Sequence, residues 1–118
     1  MRHLTVDDVK TRQGSGGPGH NITHVVAPWT VDSESLFIAV TVIQPGIRTA
    51  MTTLPGIESA HLTLEGNGTE IVEGEEVKTS AGSFVFLPRG AAHQVINTGD
   101  VPLKVLSIAT PPPPAPND

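Results

Sequence analysis

An all-β fold, an antiparallel sandwich or barrel, is what this sequence predicts, and three observations carry it. Short apolar stretches recur along the chain, each closed by glycine or proline. The clearest of them, residues 58–65, alternates: Ala60, Leu62 and Leu64 fall on one side, Ser59, His61 and Thr63 on the other. Twelve glycines and 11 prolines in 118 residues favour tight turns and short strands. Helix is therefore expected over less than about a tenth of the chain.

The elements follow in order. Thr5 is placed to cap a single helical turn, with Asp7 and Asp8 near its start. Residues 13–19 are glycine-rich and read as flexible, so residues 1–19 form an N-terminal segment ahead of the barrel. Residues 20–26 are a strand that Pro28 closes. Residues 35–44 contain LFIAVTVI, apolar on both faces, as in a strand covered on both sides. After the Pro45-Gly46 turn, residues 47–53 form a weaker strand and residues 54–56 a loop. Gly66-Asn67-Gly68 reads as a hairpin turn after the alternating strand, and Glu73-Gly74-Glu75 as another. Strands at 69–72, 77–79, 83–87, 93–97 and 103–109 bring the total to eight or nine. The barrel thus occupies residues 20–110, and the proline-rich tail, 111–118, is expected to be extended and disordered.

Composition narrows the function. The net charge is −5, and the seven Lys and Arg are scattered, which argues against nucleic acid and anionic membranes as partners. There is no cysteine, so thiolate catalysis and cysteine-bound zinc are excluded. The longest apolar run, residues 36–40, is far too short to span a bilayer. Without a secretion-type apolar start, a cytoplasmic protein is expected, and the sequons at Asn21 and Asn67 read as chance. Aromatic content is 3%, with a single tryptophan, so the core must be Val, Ile, Leu and Ala. Trp29 reads as a packing or dimer-contact residue and His3 as a solvated one.

The stretch with the most chemistry is GSFVFLPRGAAHQVIN, residues 82–97. A short apolar run ends at Pro88-Arg89-Gly90, where proline removes a ladder donor and glycine permits a left-handed turn. His93 follows at the start of the next strand, held by the turn, and its imidazole can ligate a metal or move a proton near neutral pH. Gly82, Pro88, Gly90, His93 and Asn97 fill every fixed position of G-x5-P-x-G-x2-H-x3-N, and the stretch resembles the second motif of the cupin superfamily. Upstream, Pro45-Gly46 and Glu58 to Gly66 resemble the frame of the first motif, so the resemblance covers residues 36–110. It implies a single double-stranded β-barrel of jelly-roll type, usually a homodimer, with a pocket between its sheets. It implies no single activity, because this fold carries many.

The resemblance further implies a metal held by a His-x-His pair, a glutamate and the second-motif histidine. Here His93 and Glu58 fill two of those positions, while Thr52 and Leu54 stand where the paired histidines would be. Two ligands rarely hold a first-row ion such as Zn, Fe, Mn or Ni, so a metal would need a third from His61, His20 or His24. His61 is three residues from Glu58 and points to the opposite face unless a bulge intervenes. His20 and His24 share a strand face about 13 Å apart, too far for one ion. Glu58 shares its face with Ala60, Leu62 and Leu64, which suggests an inward carboxylate able to trade protons with His93. The alternatives are a structural His93 and a surface Glu58. Three functions stay open: an acid–base enzyme (a cyclase, isomerase or lyase) acting on a small organic molecule through His93 and Glu58; a metal-dependent oxygenase or cyclase; and a barrel that binds a small ligand without catalysis. A homodimer is expected, with residues 20–26 pairing to a partner's sheet edge.

Overall fold

The computed structural model describes residues 1–117, so residue 118 of the expected tail lies outside the described residues. Nine strands form: β1 (Thr11–Gln13), β2 (His20–Val26), β3 (Phe37–Ile43), β4 (Glu58–Glu65), β5 (Asn67–Val72), β6 (Glu75–Ser80), β7 (Phe84–Leu87), β8 (His93–Ile96) and β9 (Leu103–Thr110). A helix of four residues, α1 (Pro28–Val31), and a 3-10 turn at Val6–Asp8 make up the helical content. Asp8 fastens that turn by accepting from the Thr5 N–H at 2.7 Å. All strand pairings are antiparallel, in two sheets ordered β1-β2-β3-β9-β4-β7 and β6-β5-β8. This is the jelly-roll barrel that the turns and alternation predict.

Several elements differ from expectation for identifiable reasons. Residues 1–19 carry β1, and their glycines form the tight return into β2. At Gly14 any side chain would run into the ring of His20. Pro28 opens α1 rather than only closing β2, because proline at the first helical turn sacrifices no needed donor. Residues 47–53 touch the small sheet through isolated bridges, Arg48 to Ile96 and Thr52 to His93. Gly66 is not a hairpin turn. β4 pairs with β7 and β9, whereas β5 pairs with β6 and β8, so Gly66 is the corner where the chain changes sheets. Its φ of 86° and the Pro102 carbonyl, which would lie 2.7 Å from any Cβ, both require glycine. β2 pairs with β3 on one side and, over residues 21–23, with β1 on the other, so its own chain takes much of the edge that was expected to meet a partner.

The inner face of the large sheet is set by register. Thr41 lies beside Val105, Ala39 beside Ser107, and Phe37 beside Ala109. On the other side of β9, Ser107 faces His61 and Ala109 faces Ser59. Two apolar clusters cap this wall. One gathers Ala27, Phe37, Ala39, Ile57 and Ala109; the other Ile43, Val95, Leu103 and Val105. Between them the side chains are small, and small side chains at the centre of a wall leave a cavity.

Asn97, at the end of the 82–97 motif, is a structural clamp. It is 1% exposed. Its amide donates to the carbonyls of Ile43 and Val101, both at 2.8 Å, and its Oδ1 accepts from the Gly99 N–H at 2.9 Å. The side chain therefore ties the end of β3 to the loop that leads into β9. Asn97→Ala leaves two carbonyls and one N–H without these partners, at a cost of about 2–4 kcal/mol. Calorimetry is expected to show a melting temperature lower by roughly 10 °C. A change within about 2 °C would mean the clamp carries no net stability.

Candidate functional site

The 82–97 motif positions His93 through its backbone. The Pro88–Gly90 turn closes with an Ala91 N–H to Pro88 carbonyl bond at 3.1 Å, and Gly90 takes the left-handed φ of 73°. The Arg89 guanidinium donates to the Gly56 carbonyl at 2.9 Å and fixes the turn to the loop before β4. His93 itself exchanges two backbone bonds of 2.9 Å with Thr52. Its Nδ1 lies 3.2 Å from the Ala91 carbonyl, which only a protonated Nδ1 can satisfy. Nε2 is then the nitrogen left for other work.

Opposite His93 stands His61, with ring centroids 5.8 Å apart and planes at 70°. His61 Nδ1 donates to Glu70 Oε1 at 2.6 Å, and both residues are buried. A carboxylate oxygen accepts, so the bond places a proton on Nδ1 and leaves Nε2 as the ring nitrogen free to exchange one. Burial pushes His93 below the ordinary histidine range, and His61 adds in the same direction. The Ala91 carbonyl and Glu70 pull it partly back. His20 also lies below that range through desolvation, while its Nδ1 accepts from the Gly16 N–H at 2.9 Å.

The three histidines line a cavity of about 240 Å³. Its polar side carries His61, His93, Ser107, Thr49 and Thr52, and its apolar walls include Ile22, Phe37, Leu54, Val95 and Ala109. His24 also lines it, as does Pro113 from the C-terminal segment. His24 packs edge-on against Trp29 and Phe37 at 5.6 and 5.2 Å, so Trp29 is part of the inner packing.

The orientation expected for β4 is reversed. Ser59, His61 and Thr63 are the buried face, and Ala60, Leu62 and Leu64 look outward. Glu58 falls with the outward set and does not line the cavity. β4 thus turns Ser59 and His61 to the cavity and its apolar side outward. His61 enters the site with no bulge beside it, since the register shift in β4 falls later, between Thr63 and Glu65. The carboxylate that composition could not single out is Glu70. One signal was available: His61 and Glu70 stand five residues before and four after Gly66. A chain that turns at that glycine brings the two level.

The metal that the fold's resemblance implies does not fit this donor set. Thr52 and Leu54 line the cavity where paired histidines would be, and the inward neighbour of Glu58 is Ser59. His61 Nδ1 is committed to Glu70 and His20 Nδ1 to Gly16. Among the described residues no group of three or more His, Cys, Asp or Glu is placed to hold an ion.

Comparison with known proteins agrees with the fold. The cupin domain model matches residues 39–109. An uncharacterised protein of Methanocaldococcus jannaschii is 28% identical over 114 residues, which cover 92% of this chain and 91% of that one. A Thermotoga maritima structure described as a predicted oxalate decarboxylase superposes with a TM-score of 0.81 at 19% identity, covering 94% of this chain and 100% of that one. The polyketide cyclase RemF of Streptomyces resistomycificus superposes with a TM-score of 0.79 at 18% identity, covering 98% and 82%.

Two outcomes follow from the site. Purified without added metal, the protein is expected to carry well below one equivalent of Zn, Fe, Mn or Ni by elemental analysis. Close to one equivalent would reveal a ligand set other than the one described. The second concerns pH. His20 and His93 bind a proton less readily folded than unfolded, so the unfolded chain takes up more protons as pH falls below the ordinary histidine value of about 6.5. Stability is complete above that pH and is lost as pH drops through it towards the lower folded values. The melting temperature is expected to hold between about pH 8 and 7 and to fall from about pH 6.5 downward, less steeply in His93→Gln. A flat profile to about pH 5.5 would contradict the assignment.

Proposed function

The chain belongs to the cupin domain family, and from that premise we propose that it is a small-molecule enzyme working by acid–base chemistry, with the Glu70–His61 pair and His93 as its proton-handling groups. The observation that carries this reading is the 2.6 Å bond from His61 Nδ1 to Glu70 Oε1 beside the cavity. A carboxylate behind an imidazole fixes its tautomer, presents Nε2 as a base, and stabilises the imidazolium formed when that base takes a proton. His61 removes a proton from a carbon or hydroxyl of the substrate and returns it to a neighbouring atom, while Glu70 balances the transient charge. The Ser107 hydroxyl, next to His61 in register, can donate to a substrate carbonyl, where negative charge gathers. His93, kept neutral by burial, accepts a hydrogen bond or relays the proton at the far side. Isomerisation, cyclisation and dehydration share this requirement.

The reaction is tested by following solvent deuterium uptake into a panel of small ketones and hydroxy-ketones by proton NMR. On the substrate found, Glu70→Gln, His61→Gln and His93→Ala are each expected to lower kcat by about 10²–10⁴-fold with the barrel still folded. Rates within a few-fold of wild type in all three, with ligand still bound, would sink the acid–base reading. A barrel that binds without catalysis would then take its place.

A further inference from the structure

We infer that the cavity takes a small, uncharged, amphipathic molecule, seated with its apolar part against Phe37 and Ala109 and its polar atoms towards His61, His93 and Ser107. The inference rests on the proposal that this cavity is the working site, and it names the substrate class.

Three observations carry it. The first is charge. Among the described residues no Lys, Arg, Asp or Glu lines the cavity, although the chain has 7 of the basic and 12 of the acidic kind. Glu70 is 1% exposed, bonded to His61 and outside the lining. A phosphate or carboxylate brought here would lose its water and find only hydroxyls and imidazoles, with no cation to offset its burial. The lowered proton affinity of His20 and His93 points the same way.

The second is the distribution of side chains. Phe37 and Ala109 are cross-strand neighbours within one apolar cluster, and Leu54 packs against that cluster. One row further along the sheet, Ala39, Ser107 and His61 stand side by side. The row before it runs Phe37, Ala109, Ser59, so the floor passes from apolar side chains on β3 to hydrogen-bonding ones on β4. An occupant must match that gradient. The third is size. A volume of about 240 Å³ is below the ~300–1,000 Å³ of sites for drug-sized ligands. It admits one ring or a short branched chain and no large sugar or nucleotide.

The test uses ring-matched probes on the full-length protein: benzyl alcohol and acetophenone against benzoate and phenyl phosphate, titrated by protein NMR. The neutral pair is expected to bind with shifts at Ala39 and Ser107, and at least about tenfold more tightly than either anion, a ratio worth about 1.4 kcal/mol. Ala39→Leu and Ser107→Val, which fill the small-residue floor, are each expected to weaken the neutral probes by at least about tenfold. Melting temperatures identify any variant that has lost its fold, and the other variant then decides. Anions binding as tightly as the neutral probes would overturn the inference. So would neutral binding that neither floor-filling variant weakens, or no neutral binding at the solubility limit. Because these readouts need no turnover, they separate from the acid–base proposal. Neutral selectivity without loss of rate in the Glu70, His61 and His93 variants would sink the mechanism and leave the ligand class standing.

Discussion

The bond between His61 and Glu70 constrains the rest of this molecule. It joins β4 of the large sheet to β5 of the small one, so it spans the barrel. A buried carboxylate is tolerated only with a partner, and removing that partner leaves an uncompensated charge, a loss of about 3–5 kcal/mol. Glu70 also has a second oxygen, Oε2, buried without a hydrogen-bond partner in the described structure.

The barrel supports this bond from both directions. Gly66 turns the chain sharply between sheets, so strands only a few residues apart in sequence face each other across the interior. Asn97 holds β3 against the loop before β9, and the register of β3 and β9 then places Ser107 beside His61. His93 is locked by backbone pairing with Thr52, a position where a ligating histidine would otherwise stand. The cavity follows from the same register. Ala39, Ser107 and Ala109 are small in adjoining places.

The motif in residues 82–97 thus divides its labour. Gly90 and Pro88 shape the turn, Asn97 stabilises, and His93 and Val95 face the cavity. The first-motif region has kept its place in the barrel while presenting Thr52, Leu54 and Ser59 to the cavity. What results is a pocket furnished with imidazoles and hydroxyls, where proton transfer has the groups it needs and metal coordination does not.

The fold was legible in the sequence because its signals are local. Turn glycines and prolines, β-branched runs and the spacing from Gly82 to Asn97 each report on a few neighbouring residues. His93 was legible for the same reason. The orientation of β4 was not. Period-two alternation separates two faces and says nothing about which one is inside, and the usual rule that apolar means inward fails for a strand whose cavity-facing side chains are Ser59 and His61. Glu58 was therefore placed in the cavity and Glu70 overlooked. Glu70 sits in a strand of mixed character, and its partner lies across a sheet-changing corner that sequence reads as a hairpin. The sequence by itself determined the strands, the turns and the isolated histidine. Only the tertiary structure decided which face of each strand looks inward, because that depends on which sheet each strand joins, and long-range pairing sets that.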